Sequence, residues 1–216
     1  MKKITLFSIM AVIVAALSFT SCNSSSDNTS PLPTQQEAHA MLMTVAGIHP
    51  CGILLSEDKD KKIEKDSIVD CSFRVSPSDS TFRITNFPVS KLSRYFANED
   101  LAKAIAEAPS QDLTGKLLPY SGTTTAPFFC HYLNNITFKT GEGKVYTLAF
   151  YGGYNNASIA GYASTKKNST TSDCFLMYLT PGAVYEGTSN SSSIVSGALK
   201  TDSYGKPYTL YLKYDL

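Results

Sequence analysis

The chain is poor in the residues that most often mark a site of chemistry. It contains no tryptophan and three histidines, and its 19 lysine and arginine side chains are balanced by 18 acidic ones. Without tryptophan a broad glycan-binding platform is not favoured, although tyrosine can serve the same purpose. A balanced charge argues against binding nucleic acid, which normally needs a basic face. We therefore expect no nucleic acid among the partners.

Motifs that carry chemistry are also incomplete. Asp58 and Asp60 have the spacing of a calcium loop, but the glycine and the terminal acid of that loop are missing. Gly141-Glu142-Gly143-Lys144 lacks the Ser or Thr that completes a phosphate-binding loop, and Ala157-Ser158-Ile159-Ala160-Gly161 lacks the first glycine of a nucleophile elbow. We therefore predict a protein that is not an enzyme and that carries no cofactor and no metal.

Histidine and cysteine lie close together twice, as His49-Pro50-Cys51 and as Cys130-His131. Zinc is bound by these residue types, so a zinc site is an alternative interpretation. Their spacing matches no common zinc module, and cysteines of exported proteins are more often disulfide-bonded. Ordinary structural histidines are the preferred interpretation.

The amino terminus has the pattern of an export signal. Lys2 and Lys3 precede an apolar run from Leu6 to Phe19, and Thr20-Ser21-Cys22 follows. The run is shorter than the roughly 20 residues of a membrane-spanning helix, and no later segment is apolar enough to span a bilayer. We expect residues 1–21 to be removed, which leaves 17 basic side chains against 18 acidic ones.

This start resembles that of bacterial lipoproteins, which are cleaved before a cysteine that is then acylated. The matching residues are Phe19-Thr20-Ser21-Cys22, with Phe19 in place of the usual aliphatic residue. The resemblance implies that Cys22 carries lipid and anchors the protein to a membrane. Ordinary secretion with cleavage nearby is the alternative. Residues 22–33 are small, polar and punctuated by proline, which predicts a flexible tether.

Four further cysteines, Cys51, Cys71, Cys130 and Cys174, are candidates for disulfides in an oxidising compartment. Four cysteines allow three pairings, and the sequence does not select one. Cys51 and Cys71 lie symmetrically about a charged loop centred on Lys61, so a hairpin would bring them together. Buried thiols that pack as small hydrophobic groups are the alternative.

Residues 34–216 are predicted to form one β-rich domain. Thr34 and Glu37 have the spacing of a capping box, and the helix that they start is expected to end at Gly47. A second helical segment is predicted over residues 90–108, with Ser90 and Asn98 as caps, and an irregular segment follows to Pro127. Strands are predicted at 51–55, 67–75, 81–87, 128–138, 144–151, 158–164, 174–179, 194–200 and 208–214.

About nine short strands with two helical segments indicate a β-rich α+β fold, either an antiparallel β-barrel or a two-sheet β-sandwich. A barrel is favoured because closure leaves no exposed sheet edge. The order of leader, lipid cysteine, helix ending at Gly47, Phe87-Pro88-Val89 and carboxyl-terminal strands also resembles a family of gut Bacteroidota lipoproteins that has no established activity. That resemblance implies a calycin-like barrel anchored at the outer membrane. The serine-rich stretch around Asp27 favours the cell-surface side over the periplasmic side.

Weak candidates for ligand contact are Tyr151, Tyr154, Asn155 and Asn156, which combine rings and amides with glycine in one loop. The leading hypothesis is a non-enzymatic envelope lipoprotein that binds a small hydrophobic or glycan ligand, or a partner protein, at the barrel mouth or its loops. A structural or adhesion component and a hydrolase without a recognisable motif are the alternatives.

Overall fold

The protein is described by a computed structural model that covers residues 32–55, 71–123, 126–153, 158–167, 170–190 and 192–215. Eight antiparallel strands close into a barrel, and three others form a separate sheet. The predicted β-barrel is confirmed, and the two-sheet sandwich is not the architecture. Within the described ranges, no helix has both the length and the apolar character needed to cross a membrane.

The elements follow one another from the first helix to the last barrel strand. In chain order they are α1 (Gln35–Thr44), β1 (Gly47–Leu55), β2 (Cys71–Ser76), β3 (Thr81–Phe87), a 3-10 helix (Val89–Tyr95), α2 (Glu99–Ala106), β4 (Gln111–Thr123), β5 (Ala126–Leu133), β6 (Ile136–Lys139), β7 (Val145–Phe150), β8 (Ile159–Lys167), β9 (Thr170–Leu179), β10 (Pro181–Glu186) and β11 (Leu210–Asp215). The barrel order is β1-β11-β9-β8-β5-β4-β3-β2, and the separate sheet is β10-β7-β6.

Helix α1 begins as the sequence predicts. The Thr34 hydroxyl accepts a hydrogen bond from the Glu37 amide, and the Glu37 carboxylate accepts one from the Thr34 amide at 2.8 Å. These reciprocal bonds satisfy amides that the first helical turn leaves without partners. The helix ends at Val45 rather than at Gly47, whose φ of 111° instead turns the chain into β1.

The cysteine pair that a hairpin was expected to bring together is the pair that forms a disulfide. Cys51 and Cys71 are directly opposite each other on β1 and β2 and are joined by a disulfide, with a Cα–Cα separation of 5.5 Å. Cys130 and Cys174 are instead buried thiols. Cys130 aligns with Ile159 on β8 and Cys174 with Ala163, so the two are two strands and four residues apart. That offset is roughly 15 Å, well beyond disulfide reach, and excludes a bond between them.

The segment before Pro127 was predicted to be irregular, and this was wrong, because it contains β4, a strand of 13 residues. Leu113, Gly115 and Leu117 are buried, and Thr114, Lys116 and Leu118 between them are exposed. The alternation of a strand is therefore present, but a glycine occupies one core position. At Gly115 an added Cβ would lie 2.3 Å from the Tyr132 carbonyl oxygen and 2.7 Å from the Phe82 ring. The large Phe82 side chain fills the space that Gly115 leaves.

Other boundaries also differ from the prediction. The helical segment at 90–108 is divided into the 3-10 helix and α2, and Asn98 caps α2 while Ser90 caps neither helix. The predicted strand 128–138 is interrupted between β5 and β6. Residues 194–200 form isolated bridges at Ile194 and Leu199 instead of a strand, and β10 was not predicted. Residues Thr140–Gly143 form a hairpin turn, and Leu210, Leu212 and Tyr214 alternate inward within the predicted strand 208–214.

Both ends of the barrel are covered by other elements. At the end where β1 starts, here called the α1 end, Met41, Leu42 and Val45 bury their side chains, and the Tyr162 hydroxyl donates to the Thr44 carbonyl oxygen at 3.0 Å. At the opposite end, here called the cap end, the chain leaves β3 for the two short helices and leaves β5 and β9 for the separate sheet. Apolar side chains of all these parts belong to one buried cluster.

We expect Gly115→Ala to destabilise the fold by about 1 to 3 kcal/mol, because its methyl group would overlap the Tyr132 carbonyl and the Phe82 ring. Gly141→Ala is the matched control, since no atom lies within 4 Å of its added Cβ, and its effect should stay within about 0.5 kcal/mol. Urea unfolding of both variants measures the difference. Equal stabilities would show that β4 does not face the core as described.

Candidate functional site

The barrel interior is filled by aromatic side chains. Phe175 on β9 is fully buried, and its ring centre lies 5.0 Å from that of Tyr214 and 5.6 Å from that of Phe73. Phe129 and Tyr162 lie 6.2 and 6.1 Å from Phe175. These separations are typical of packed aromatic pairs. In the described residues the interior is therefore a core and not an open ligand cavity.

Polar groups also lie at the edge of this core. His49 stacks on the Tyr214 ring at 4.3 Å, and its Nε2 donates to the Ala46 carbonyl oxygen at 3.2 Å. The Tyr214 hydroxyl is buried and finds no hydrogen-bond partner in the described part of the chain. Burial, with a smaller contribution from Tyr162, raises the pKa of Tyr214 above its usual value. The hydroxyl therefore stays protonated, and the stack acts as a structural group.

The residues considered for zinc do not converge. Cys130 and His131 are adjacent on β5, and side chains of adjacent strand residues point to opposite faces. Cys51 is already bonded to Cys71. Across the described ranges, no three His, Cys, Asp or Glu side chains lie together as they would to hold a metal ion.

His131 has a structural role at the point where β8 begins. The pairing of β8 with β9 starts at Ala160 and Met177, which leaves the Tyr178 carbonyl beyond the last pair. His131 Nε2 lies 2.6 Å from that carbonyl oxygen. A carbonyl can only accept, so Nε2 carries the proton and Nδ1 is an acceptor, for which the described residues supply no donor. Burial lowers the pKa of His131 to about 4, and the ring is neutral at pH 7.

The loop predicted to contact a ligand starts next to His131. The Gly153 amide donates to the His131 carbonyl oxygen, and the buried Ser158 hydroxyl donates to the Tyr151 carbonyl oxygen at 2.6 Å. Tyr151 is half-buried, with its ring against Gly182. Tyr151 therefore packs rather than projects, and Tyr154, Asn155 and Asn156 lie outside the described residues. Cys22, the predicted lipid site, lies outside them as well.

A surface cleft of about 340 Å³ lies between α2 and the β6–β7 hairpin. Its size is at the lower end of the range for small-molecule sites. Both apolar and charged side chains line the cleft. The apolar ones are Leu101, Ala104, Tyr146 and Val195, and the charged ones are Asp100, Lys103, Glu107, Glu142 and Lys144.

The cleft is built from two short, well-defined elements. Asn98 caps α2 by accepting a hydrogen bond from the Leu101 amide at 3.0 Å, which places Asp100 and Lys103 beside the hairpin. The hairpin is closed by the Thr140 amide, which donates to the Lys144 carbonyl oxygen at 3.0 Å. Gly143 adopts a φ of 81°, which side chains rarely allow. The cleft wall is therefore positioned by backbone hydrogen bonds on both sides.

The Tyr146 ring is held in place from behind. It stacks on Phe138 with ring centres 5.9 Å apart, and Phe138 meets the buried Phe96 ring edge to face at 5.8 Å. Beside it the Thr140 hydroxyl oxygen is buried without a hydrogen-bond partner in the described residues. The cleft thus combines a fixed aromatic ring with an unused hydroxyl and with charges of both signs.

Sequence reasoning did not find this cleft. Gly141-Glu142-Gly143-Lys144 was considered only as an incomplete phosphate-binding loop, and on the second helix Asn98 was considered only as a cap. Each interpretation is correct for its own segment, but nothing local indicates that Asp100 and Glu142 face the same space. Tyr146 lies in the predicted strand 144–151, and its position next to a hairpin was the available signal.

We expect the free energy of unfolding to decrease as the pH is lowered, because His131 is buried in its neutral form. Its pKa is about 4 when folded and about 6.5 when unfolded, so the unfolded state binds the proton first as pH decreases. Stability should therefore drop between about pH 6.5 and pH 4, by roughly 3 kcal/mol, and level off below. His131→Gln, which can still donate to Tyr178, should lose this component in urea unfolding at pH 7 and 4.5.

His39→Gln is the control, because His39 is exposed on α1. The comparison cancels the contribution of the carboxylates, which titrate in every variant. If His131→Gln and His39→Gln show the same pH dependence, the histidine at β5 is not buried in the neutral form.

Comparison with known proteins gives one match. The model of a family described as Domain of unknown function (DUF4840) matches residues 44–180, more than half of the chain. Comparison with curated proteins and with solved structures found no significant match. The matched range runs from the end of α1 through β9 and includes most barrel strands and the β6–β7 hairpin. The chain belongs to the DUF4840 family.

Proposed function

We propose that the protein is a non-enzymatic, lipid-anchored component of the bacterial cell envelope that binds a small carbohydrate in the cleft between α2 and the β6–β7 hairpin. The observation that carries the proposal is the Tyr146 ring, fixed on Phe138 and surrounded by charged side chains. Sugars present an apolar ring face together with many hydroxyl groups. The apolar face fits an aromatic ring, and the hydroxyls can bind both carboxylates and ammonium groups.

The nature of the cleft favours a polar ligand over a hydrophobic one. A hydrophobic ligand of a barrel protein would normally occupy the interior, where Phe73, Phe129 and Phe175 already lie in contact. In the cleft, Lys144 and Glu142 form an ion pair at 3.7 Å, and because both side chains are exposed each can also contact a hydroxyl group. A volume of about 340 Å³ suits a ligand of mono- or disaccharide size.

Adhesion through open strand edges is less well supported. The outer edge of β10 is occupied, because the Val195 amide donates to the Val184 carbonyl oxygen and the Glu186 amide to the Ser193 carbonyl oxygen. On β6 the Thr137 carbonyl oxygen accepts a hydrogen bond from the Gln111 side chain at 3.0 Å. Covered edges offer few groups to a second strand.

The anchoring part of the proposal rests on the amino-terminal sequence. A basic start, an apolar run and Cys22 after Thr20-Ser21 form a lipoprotein leader, and the disulfide between Cys51 and Cys71 is consistent with an oxidising compartment. We place the protein at the outer membrane, on the cell surface rather than the periplasmic side.

The experiment is to probe an array of bacterial and host glycans with the purified protein and then measure affinity for the bound glycans by calorimetry. Tyr146→Ala should weaken binding at least tenfold, equivalent to about 1.4 kcal/mol, because the ring face is lost. Tyr204→Ala is the aromatic control, because Tyr204 is 86% exposed and lies outside the cleft.

A second pair of variants keeps the proposal testable if Tyr146→Ala does not fold. Lys144→Gln should also weaken binding, whereas Lys139→Gln should leave it unchanged, since Lys139 lies on the same hairpin but outside the cleft wall. Binding that is indifferent to both Tyr146→Ala and Lys144→Gln would exclude this cleft. Absence of any bound glycan would refute the ligand class.

A further inference from the structure

We infer that the α1 end of the barrel rests on the lipid bilayer, and that this contact directs the cleft away from the membrane. The inference rests on the lipid anchor of the proposed function. It concerns how the folded domain sits on the membrane, which the anchor alone does not determine, since a tethered domain could face in any direction.

The chain enters the folded domain at the α1 end. The described residues begin at Leu32, two residues before the Thr34 cap, and Cys22 lies ten positions earlier. An extended chain covers at most about 3.6 Å per residue, so Leu32 lies within roughly 36 Å of the lipid-bearing residue and the start of α1 at Gln35 within roughly 47 Å. Helix α1 is about 15 Å long at 1.5 Å per residue, so its far end is at most one helix length further from the lipid.

Exposed aliphatic side chains lie along this entry path. Leu32 is 60% exposed, Met43 is 55% exposed and Ile48 is 66% exposed. Met43 and Ile48 lie on either side of one turn, which the Ala46 amide closes by donating to the Met43 carbonyl oxygen. Ile48 must point outward, because its neighbour His49 stacks on Tyr214 inside the barrel. Apolar side chains held outward beside an anchored chain can enter the interfacial region of a bilayer.

Among the side chains that the structure describes at this end, the charges balance. Arg74 is the cross-strand partner of Ile48 and is exposed, and Lys116 donates to the Asp79 carbonyl oxygen. Asp79 offsets them, because hydrogen bonds from Thr81 and Ser76 lower its pKa to about 2 and keep it ionised, and Glu37 on α1 adds a second negative charge. The contact is therefore apolar rather than electrostatic, and it needs no anionic lipid.

The orientation has a consequence for the cleft. Strand β3 ends and α2 follows at the cap end, whereas α1 packs where β1 starts. A barrel that stands on its α1 end therefore presents the cap end, with Tyr146 and Lys144, to the medium. A ligand would reach the cleft without crossing the anchored side.

The chain contains no tryptophan, so a single introduced tryptophan reports on one position. The lipidated full-length protein is reconstituted into phosphatidylcholine vesicles, and Ile48→Trp is compared with Ile194→Trp. Both side chains are about two-thirds exposed, at 66% and 65%, but Ile194 lies beside β10 near the cap end. We expect brominated phosphatidylcholine to quench Ile48→Trp at least twofold and to leave Ile194→Trp unchanged. Adding phosphatidylglycerol should not increase the quenching.

Mass spectrometry of the same samples separates the two proposals. If Cys22 is acylated and Ile48→Trp is quenched no more than Ile194→Trp, the bilayer contact is wrong while the anchor stands. If Cys22 carries no lipid, the anchor is wrong, and the two variants are then mixed with excess vesicles. Selective quenching of Ile48→Trp would still support the contact, and equal spectra would overturn it.

Discussion

The rings that surround Phe175 form the contact on which the rest of the structure depends. Phe175 lies on β9 and packs against rings from β2, β5, β8 and β11, so one side chain links five of the eight barrel strands. A barrel of eight strands has an interior just wide enough for side chains or for one small ligand. Among the described residues the rings take that space, and the interior is a packed core.

A filled interior leaves the outside and the two ends for recognition. The ends are not equivalent, because the α1 end carries exposed aliphatic side chains next to the amino terminus and the cap end carries a charged cleft with a fixed aromatic ring. We connect the first with the membrane and the second with a carbohydrate. In both proposals the barrel is the support, and the elements at its two ends supply the contacts.

Local signals predicted much of the fold. The capping box at Thr34, the cap at Asn98 and the strand at 81–87 depend on neighbouring residues, and the structure contains all three. Strand β4 was missed because Gly115 replaces a large side chain at a core position, and only the distant Phe82 explains that choice. Strand β10 starts with Pro181-Gly182, which looks like a turn, yet Gly182 is needed to admit the Tyr151 ring.

The candidate site was harder to predict than the fold for the same reason. Its walls come from a helix and a hairpin that are about 40 residues apart in the chain, at Asp100 and Glu142. Each segment has a sufficient local explanation, so neither indicates the other. The cysteines lie between these two cases. Cys51 and Cys71 are on neighbouring strands and were paired correctly. Cys130 and Cys174 were also disulfide candidates, but the β-sheet register separates them.

The most direct test of a filled barrel is the unfolding free energy of Phe175→Ala, measured in urea beside Leu176→Ala, its outward-facing and half-buried neighbour. A packed interior predicts a loss of about 3 to 5 kcal/mol for Phe175→Ala and about 1 kcal/mol for Leu176→Ala. A loss for Phe175→Ala no larger than that for Leu176→Ala would contradict the account, because it would mean that the barrel holds open space that the ring does not fill.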